Sequence, residues 1–181
     1  SIDARDPLTA GHSEKVTEYS VGICNTMELN AEFRECVRVA SLLHDYGKIG
    51  IPDTVLKKDG PLTEEERTLI QTHSQKSRDI LQQVPFEGLY QEIPLIALHH
   101  HERWDGTGYP NGLVGRAIPY GARIIAVADF FEAITAKRHY RDPMPTNVAL
   151  DLVRQESGTH FDPQMTEAFL RYMNRSMGSD G

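Results

Sequence analysis

Residues 30–48 read NAEFRECVRVASLLHDYGK. Apolar side chains recur there every three or four residues, which is the spacing of one buried face of an α-helix; they are Phe33, Cys36, Val37, Ala40 and Leu43. We predict a helix over residues 30–45, with Gly47 as its stop. His44-Asp45 then lies at the C-terminal end of this helix and is expected to face the interior. A buried Asp is costly unless it is paired or bound to a metal.

The same periodicity predicts helices through most of the chain. They are expected to begin at Asp6-Pro7 or Thr9, at Thr63, near Gln91, after Pro119, at Thr146 and at Asp162-Pro163. The helix at Thr63 opens with a capping box, Thr63 with Glu66, and should continue through Leu81. The next should run over about residues 91–101. Because strand-like alternation is nearly absent, we predict an all-α bundle of about seven helices in one domain.

The composition is that of an ordinary globular protein, with 39% hydrophobic and 25% charged residues among 181. The 19 Lys and Arg against 26 Asp and Glu leave a net charge of −7, which disfavours a nucleic acid polymer as the partner. The longest purely apolar run, residues 124–128, is too short to cross a bilayer, so we expect no direct membrane insertion. Cys24 and Cys36 make neither a disulfide framework nor a zinc knuckle.

Eight histidines stand out in this composition. Five of them lie where the predicted helices would bring side chains to the interior, and Asp129 interrupts an otherwise apolar helix; the five are His12, His44, His73, His100 and His101. Helix bundles build metal sites from side chains on facing helices, and buried charges need each other or a cation. The sequence therefore predicts an interior metal site.

These residues resemble a known family. His44-Asp45-Tyr46-Gly47-Lys48 matches the HD-x-GK signature of HD-superfamily phosphohydrolases, and residues 100–110, HHERWDGTGYP, match the HHE-x-x-DG-x-GYP signature of the HD-GYP subfamily. Asp129, followed by Arg138, Tyr140 and Arg141, resembles a third block of that family. The resemblance covers about residues 6–172 and implies the HD-domain fold with a long GYP loop over residues 103–118.

HD-GYP proteins are bacterial signal-transduction phosphodiesterases. The resemblance therefore implies an enzyme that hydrolyses cyclic di-GMP to linear pGpG, with GMP left open as a further product, by a hydroxide that bridges two metals. One metal would be held by His12, His44, Asp45 and Asp129. The other would be held by His73, His100 and His101, with Asp45 shared.

Two divalent ions are expected, because Leu8 stands where members with a third metal carry an acid. Family precedent favours iron or manganese, and a donor set without thiolates leaves zinc, cobalt and nickel open. The alternatives for Glu132 are a weak ligand, a ligand through water or a residue that only lines the pocket. His99 is expected to support the ligands or to pack, and His139 and His160 to lie at the surface.

The resemblance also gives roles to side chains beside the metals. Asp45 and Lys48 would be catalytic, since Lys48 could reach the scissile phosphate from a helix end. Lys48, Tyr109, Arg138 and Arg141 would bind substrate, because arginine suits bidentate recognition of phosphate. A small anionic substrate would otherwise be repelled by the −7 chain, so these cations and the metals must invert the potential locally.

Several alternatives stay open at this point. The substrate could be another cyclic dinucleotide, 3',3'-cyclic GMP-AMP, or the chain could be a catalytically weak cyclic di-GMP sensor. The GYP loop could contact diguanylate cyclase (GGDEF) domains, act as a structural lid or be a floppy surface loop. A homodimer is left open. The start at Ser1 leads us to expect a single catalytic domain, residues 1–181, excised from a longer regulatory protein. We expect the domain to be cytoplasmic, while the longer parent protein could be membrane-anchored.

Overall fold

The computed structural model describes residues 11–138 and 141–178, which form a bundle of α-helices. The helices are α1 (His12–Thr26), α2 (Ala31–Leu43), α3 (Asp53–Leu56), α4 (Glu64–Gln71), α5 (His73–Leu81), α6 (Ile93–His99), α7 (Tyr120–Thr135), α8 (Thr146–Gln155) and α9 (Pro163–Gly178). In these residues β-pairing is confined to isolated bridges. The prediction of an all-α fold is confirmed, while the expected start of the first helix and Leu8 lie outside the described residues.

The central helix of the bundle is α7, which contacts α1, α2, α6, α8 and α9. It is apolar on almost all sides, as expected for a helix surrounded by protein. One apolar cluster joins Val127 and Phe131 to Ile23 of α1 and to α8 and α9. A second cluster joins the other side of α7 to α2 and α6. Asp129 therefore lies between two apolar clusters.

Helix α2 begins as predicted, because the Asn30 side chain accepts a hydrogen bond from the backbone N–H of Phe33 at 2.8 Å. It ends at Leu43, and a 3-10 turn, Tyr46–Gly50, follows Asp45. Gly47 was expected to stop the helix in the manner of a C-cap, but its role is different. A Cβ on Gly47 would lie 2.0 Å from the carbonyl oxygen of His73, so glycine is what allows the turn to pack directly on α5.

The predicted third helix is divided into α4 and α5, which meet at Thr72. Thr63 caps α4 through the expected capping box with Glu66. At the junction, the Thr72 N–H bonds to the Leu69 carbonyl at 3.2 Å and the Thr72 hydroxyl donates to the same carbonyl at 2.6 Å. These local bonds compete with the regular helical ladder. The junction sets the direction of α5 and with it the position of His73.

Helix α6 is shorter than the predicted helix over residues 91–101. A 3-10 turn, Gly88–Glu92, precedes it, and it ends at His99, so that His100 and His101 lie in the turn beyond. The Glu102 N–H bonds to the His99 carbonyl at 3.1 Å, which tightens the chain at this point. The two histidines are therefore presented by a helix end rather than by successive positions of a helix.

The loop over residues 103–118 is held by identifiable hydrogen bonds. The buried carboxylate of Glu102 accepts from the N–H of Asn111 at 2.8 Å and from the N–H of Leu113 at 3.0 Å. The Trp104 N–H donates to the carbonyl of His160 at 3.0 Å, and the Asp105 N–H donates to the carbonyl of Thr159 at 2.9 Å. This pattern contradicts the alternative of a floppy surface loop.

Candidate metal centre and cavity

Two groups of potential ligands meet inside the bundle and share one carboxylate. In each group the nitrogen and oxygen atoms that could hold an ion lie within 4.8 Å of one another. The first group is His12, His44, Asp45 and Asp129, and the second is Asp45, His73, His100 and His101. The structure thus brings together all seven residues predicted as ligands, in the two sets that the resemblance implied.

The two oxygens of Asp45 face different groups. Its Oδ2 lies 3.3 Å from Nε2 of His12 and 3.3 Å from Nε2 of His44. Its Oδ1 lies 3.3 Å from Nε2 of His73 and 3.6 Å from Nε2 of His100. Asp129 completes the first group, with Oδ1 at 3.1 Å from Nε2 of His12. The arrangement suits a carboxylate that bridges two cations.

The backbone orients three of the imidazole rings in the same way. In each ring Nδ1 donates to the carbonyl three residues earlier: His44 to Ser41 at 2.5 Å, His73 to Ile70 at 2.7 Å and His100 to Ala97 at 2.7 Å. A donor at Nδ1 leaves Nε2 of the neutral ring as the electron-pair donor. Each helix end therefore fixes both the direction and the tautomer of a potential metal ligand.

A cation fits this centre because its polar atoms lack other partners. Within the described residues, four of the buried atoms without a hydrogen-bond partner point into it: Nε2 of His12, His73 and His100, and Oδ1 of Asp45. Buried polar atoms are rarely left unpaired, and orphaned ones call for an explanation such as an ion. Imidazole nitrogens and carboxylate oxygens are the donors that divalent transition metals accept.

The charges in the centre are complementary to a cation. Burial opposes the ionisation of Asp45, but the imidazolium form of His44 and the ammonium of Lys48 hold the pKa of Asp45 well below the usual value. Against its own burial, the carboxylates of Asp45 and Asp129 raise the pKa of His44 to about 9, and a bound cation would take the place of the His44 proton. Asp129 is kept ionised in the same way, with His12 and His44 lowering its pKa against the effect of burial. Burial and the neighbouring His100 and His73 hold the pKa of His101 well below the usual value, so this ring is a neutral donor.

Glu132 supports His12 from the side that faces away from Asp45. Its Oε2 lies against Nδ1 of His12 and accepts a hydrogen bond from the Arg138 guanidinium at 2.5 Å. Of the three alternatives left open for Glu132, none describes this arrangement, in which the carboxylate orients a ligand. All three side chains are buried, so the group forms one connected polar network.

The centre opens into a cavity of about 710 Å³. Its wall includes Asp45, Lys48, Tyr109, Asp129 and Arg138. Lys48 Nζ donates to Asp45 Oδ2 at 2.9 Å. The Tyr109 ring stacks on His101, with ring centroids 4.9 Å apart and planes at 16°. Volumes of roughly 300–1,000 Å³ are usual for small-molecule sites.

Arg141 is placed differently from the other predicted substrate-binding residues. Its guanidinium donates to the carbonyl of Ala133 at 2.8 Å, at the end of α7, and it is not among the described residues that line the cavity. Arg138 does line the cavity, and its guanidinium also pairs with the buried carboxylate of Glu132. The backbones of the two arginines are paired, with the Arg138 N–H 3.3 Å from the Arg141 carbonyl, but of the two only Arg138 is among the described residues that line the cavity.

The remaining histidines stand apart from the two ligand groups. His99 is buried, with Nδ1 at 3.3 Å from Oε1 of Glu102, the anchor of the GYP loop. His160 was expected at the surface, but it is partly buried and stacks on Phe161 with ring centroids 4.1 Å apart. The prediction was wrong because the local sequence does not show that the fold brings Phe130 of α7 against the ring, with the centroids 5.3 Å apart. His139 and Tyr140 lie outside the described residues.

Sequence reasoning missed three parts of this site. It did not assign Glu102 as the anchor of the GYP loop, although Glu directly after the paired histidines is part of the signature. It gave Glu132 no orienting role, although Glu132 lies three positions after Asp129 on a helix, which places both on one face. It also missed the cavity wall that starts at the short helix α3, because four residues carry no readable periodicity.

Comparison with known proteins identifies the family. The profile of the HD domain family matches residues 1–165. The chain is 40% identical over 171 residues to the cyclic di-GMP phosphodiesterase response regulator RpfG of Xanthomonas campestris pv. campestris, covering 94% of this chain and 45% of that protein. It is 39% identical over 174 residues to the 3'3'-cGAMP-specific phosphodiesterase 3 of Vibrio cholerae, covering 96% of this chain and 37% of that protein.

A solved structure shares the fold. The HD domain of the L. monocytogenes phosphodiesterase PgpH, in complex with cyclic-di-AMP, superposes with a TM-score of 0.67 at 19% identity, over 98% of this chain and 93% of that one. The chain spans less than half of the length of the two curated relatives. No helix in the described part of the chain is long and apolar enough to cross a bilayer. With the family profile matched over residues 1–165 and two His/Asp groups that could hold metal ions in its interior, this chain belongs to the HD domain family.

Proposed function

We propose that this chain is a metal-dependent phosphodiesterase that hydrolyses cyclic di-GMP to linear pGpG, with GMP as a further product. The observation that carries the proposal is the pair of ligand groups that share Asp45 at the wall of a cavity with cationic side chains. The 40% identity to a protein named cyclic di-GMP phosphodiesterase supports the choice of substrate.

Two divalent ions per chain, iron or manganese, would occupy the groups. One would be held by His12, His44, Asp45 and Asp129, and the other by Asp45, His73, His100 and His101; zinc, cobalt and nickel also accept these donors. Bound there, the two ions would supply Lewis acidity toward the phosphate and an activated water. Fixed backbone hydrogen bonds hold three of the rings ready, so little reorganisation is needed on binding.

The chain's own residues would then hold and orient the substrate. Lys48 lies beside Asp45 and lines the cavity, so its ammonium can contact the scissile phosphate and offset the charge that develops there. Tyr109 offers an aromatic face to the cavity because its ring is stacked on His101. Arg138 lines the cavity, where it can contact substrate, and it also holds Glu132, which orients His12. Arg141 would have to give up its hydrogen bond to the Ala133 carbonyl to reach substrate.

A second substrate has support of its own. The 39% identity to a protein named 3'3'-cGAMP-specific phosphodiesterase is close to that of the cyclic di-GMP relative. The two substrates share the phosphodiester ring and differ in one base, so the metal centre would treat them alike. Discrimination would have to come from the walls of the cavity. A catalytically weak sensor has less support, because all seven predicted ligands are present and assembled.

The experiment combines metal analysis with product analysis. Protein purified without air should contain two metal ions per chain by elemental analysis, and should convert cyclic di-GMP to pGpG faster than it converts 3',3'-cyclic GMP-AMP, as followed by chromatography. Asp45→Asn should abolish turnover while circular dichroism stays helical. Wild-type turnover in this variant, or metal-loaded protein inactive on both substrates, would refute the proposal.

The wider setting is also a proposal. We propose that residues 1–181 act as one catalytic domain of a longer cytoplasmic regulatory protein, since the chain spans less than half of its curated relatives. The GYP loop would be its contact surface for GGDEF domains, and Val114 on that loop exposes 62% of its surface. A pull-down with and without Val114→Asp, and sedimentation to test for a homodimer, would check these two contacts.

A further inference from the structure

The cavity reaches beyond the metal centre to a wall formed by a separate part of the chain. Cavity-lining residues between positions 53 and 70 come from α3, the segment after it and α4, and we call them the α3–α4 wall. None of the proposed metal ligands belongs to this wall. A substrate that fills the cavity therefore meets two surfaces that differ in origin.

The α3–α4 wall carries three cations, Lys57, Lys58 and Arg67. They stand out in a chain of net charge −7. Asp53 is the acidic side chain that this wall contributes to the cavity lining, so the balance on the described wall is positive. A cleft with an excess of one charge raises the local concentration of ligands of the opposite sign.

The three cations differ in how firmly they are held. Lys58 Nζ donates to Glu66 Oε2 at 2.8 Å, a close pair that fixes its position. Lys57 Nζ lies 3.9 Å from Asp53 Oδ2, which is beyond hydrogen-bond distance. Arg67 Nε lies 3.7 Å from Glu64 Oε2, and Nη2 of Arg67 lies 3.5 Å from the Leu62 carbonyl oxygen, which is long for a hydrogen bond. Lys57 and Arg67 can therefore turn to an anion at small cost.

Apolar side chains of the same wall accompany these cations. Val55, Leu56, Pro61 and Leu62 line the cavity. Flat nucleobases need such surfaces, since ligand sites combine mostly apolar walls with a few polar groups that fix the orientation. The wall thus offers what a nucleotide presents, which is a base face beside a phosphate.

We propose that Lys57 and Arg67 bind the second, non-reacting phosphate of a cyclic dinucleotide while the metal centre and Lys48 hold the phosphate that is cleaved. The inference rests on the proposed function and deepens it. It makes the α3–α4 wall a determinant of specificity: a diester with two phosphates uses both surfaces, and a diester with one phosphate uses only the metal centre.

The test compares two substrates in the metal-loaded protein. Lys57→Ala combined with Arg67→Ala should raise KM for cyclic di-GMP by about tenfold, with kcat within about twofold of wild type, because only binding of the non-reacting group is lost. The ratio of kcat/KM for cyclic di-GMP to that for bis(p-nitrophenyl) phosphate, which has one phosphate, should fall by the same factor. Replacing Lys57 by glutamate instead of alanine (Lys57→Glu with Arg67→Ala) should raise KM for cyclic di-GMP further, because the added carboxylate repels the phosphate.

Matched controls lie elsewhere on the surface. Arg154 pairs with Asp151 in the same i,i+3 spacing as Arg67 with Glu64 and has a similar exposure, 61% against 57%. Lys15 with Glu18 is the lysine control. Arg154→Ala and Lys15→Ala should leave the ratio unchanged. An unchanged ratio in the Lys57/Arg67 variant, or an equal loss on both substrates, would overturn the inference. Wild-type protein that cleaves only bis(p-nitrophenyl) phosphate would instead refute the proposed function.

Discussion

Glu132 Oε2 lies against Nδ1 of His12, the ring nitrogen that faces away from Asp45. Arg138 donates to the same carboxylate oxygen at 2.5 Å, so a buried cation holds the group that orients a proposed metal ligand. Residues of this kind tune a metal centre without touching the ion, because they fix the ring and raise its basicity.

Glu132→Ala should weaken binding of Mn²⁺ by roughly 10–100-fold, the usual cost of removing the carboxylate behind a metal-bound histidine. Titration calorimetry on metal-stripped protein measures this. Arg138→Met should weaken it in the same direction, since the guanidinium holds Glu132; a residue that only binds substrate would leave metal affinity intact. Glu156→Ala, which removes a carboxylate paired with Arg103 outside the two ligand groups, is the control. Equal affinities in all four proteins would contradict the role of Glu132.

Substitutions in the two ligand groups should remove different numbers of ions. Asp129 belongs to the first group and His101 to the second, so Asp129→Asn and His101→Asn should each leave about one ion per chain on the two-metal proposal. Asp45→Asn replaces one of the two oxygens with an amide nitrogen and removes the negative charge that both groups share, so it should leave fewer ions than either. Elemental analysis after exhaustive dialysis gives the counts, and thermal melting checks the fold. Two ions retained by Asp45→Asn would show that the carboxylate is not shared.

Glu102→Gln should loosen the GYP loop. The carboxylate uses Oε1 for the Asn111 N–H and Oε2 for the Leu113 N–H, whereas glutamine has one acceptor oxygen. One buried N–H then loses its partner, at a cost of about 1–3 kcal/mol. Urea unfolding measures the cost, and hydrogen exchange over residues 103–115 should speed up. Glu14→Gln, on the exposed side of α1, is the control. Unchanged exchange in the loop would rule out this anchor.

The free energy of unfolding should fall as the pH falls, and His160 should account for part of this change. Burial, and then the nearby Arg103, lower the pKa of His160 to about 4. The unfolded state, with an ordinary pKa near 6.5, therefore binds more protons than the folded state between these values. The contribution of His160 to the free energy of unfolding is therefore fully present above pH 6.5 and is lost as the pH falls through 4. Because the ring is partly exposed, we expect about 1–2 kcal/mol.

The measurement for His160 is the slope of unfolding free energy against pH from 7 to 4, compared with His160→Gln. The variant should have a shallower slope, because it lacks the titrating ring and all other groups remain. Identical slopes would show that His160 does not titrate differently in the folded and unfolded states.

Gly47→Ala should damage the metal centre through packing alone. The added methyl would lie 2.0 Å from the His73 carbonyl oxygen and 2.4 Å from the Ser77 nitrogen, so α5 must shift and carry His73 with it. Overpacking of this kind costs about 1–3 kcal/mol or more. Gly178→Ala, where a Cβ has nothing within 4 Å, is the control. Melting temperature and metal content should both fall for Gly47→Ala, and unchanged metal content would contradict the coupling.

The sequence predicted which residues meet better than it predicted how they are held. Apolar periodicity placed α2, α7, α8 and α9 well, because these helices have ten or more residues and the sequence marks their starts with Asn30, Pro119, Thr146 and Asp162-Pro163. It failed at Thr72, where a threonine hydroxyl and an i,i+3 bond divide a helix without any change in the apolar pattern. Glu102 and Glu132 looked like ordinary charged residues, since their roles depend on backbone and ring atoms that only the folded chain brings near.

The hydrogen bonds from Trp104 and Asp105 to the carbonyls of His160 and Thr159 join the GYP loop to the connection between α8 and α9. All seven proposed ligands lie at or before Asp129 in the chain, yet this support comes from residues made later. During synthesis, a nascent chain that already holds every ligand still lacks the carbonyls that hold the loop beside His101. The two hydrogen bonds that tie the loop to this connection can therefore form only after residues 159 and 160 have left the ribosome, later than every proposed ligand.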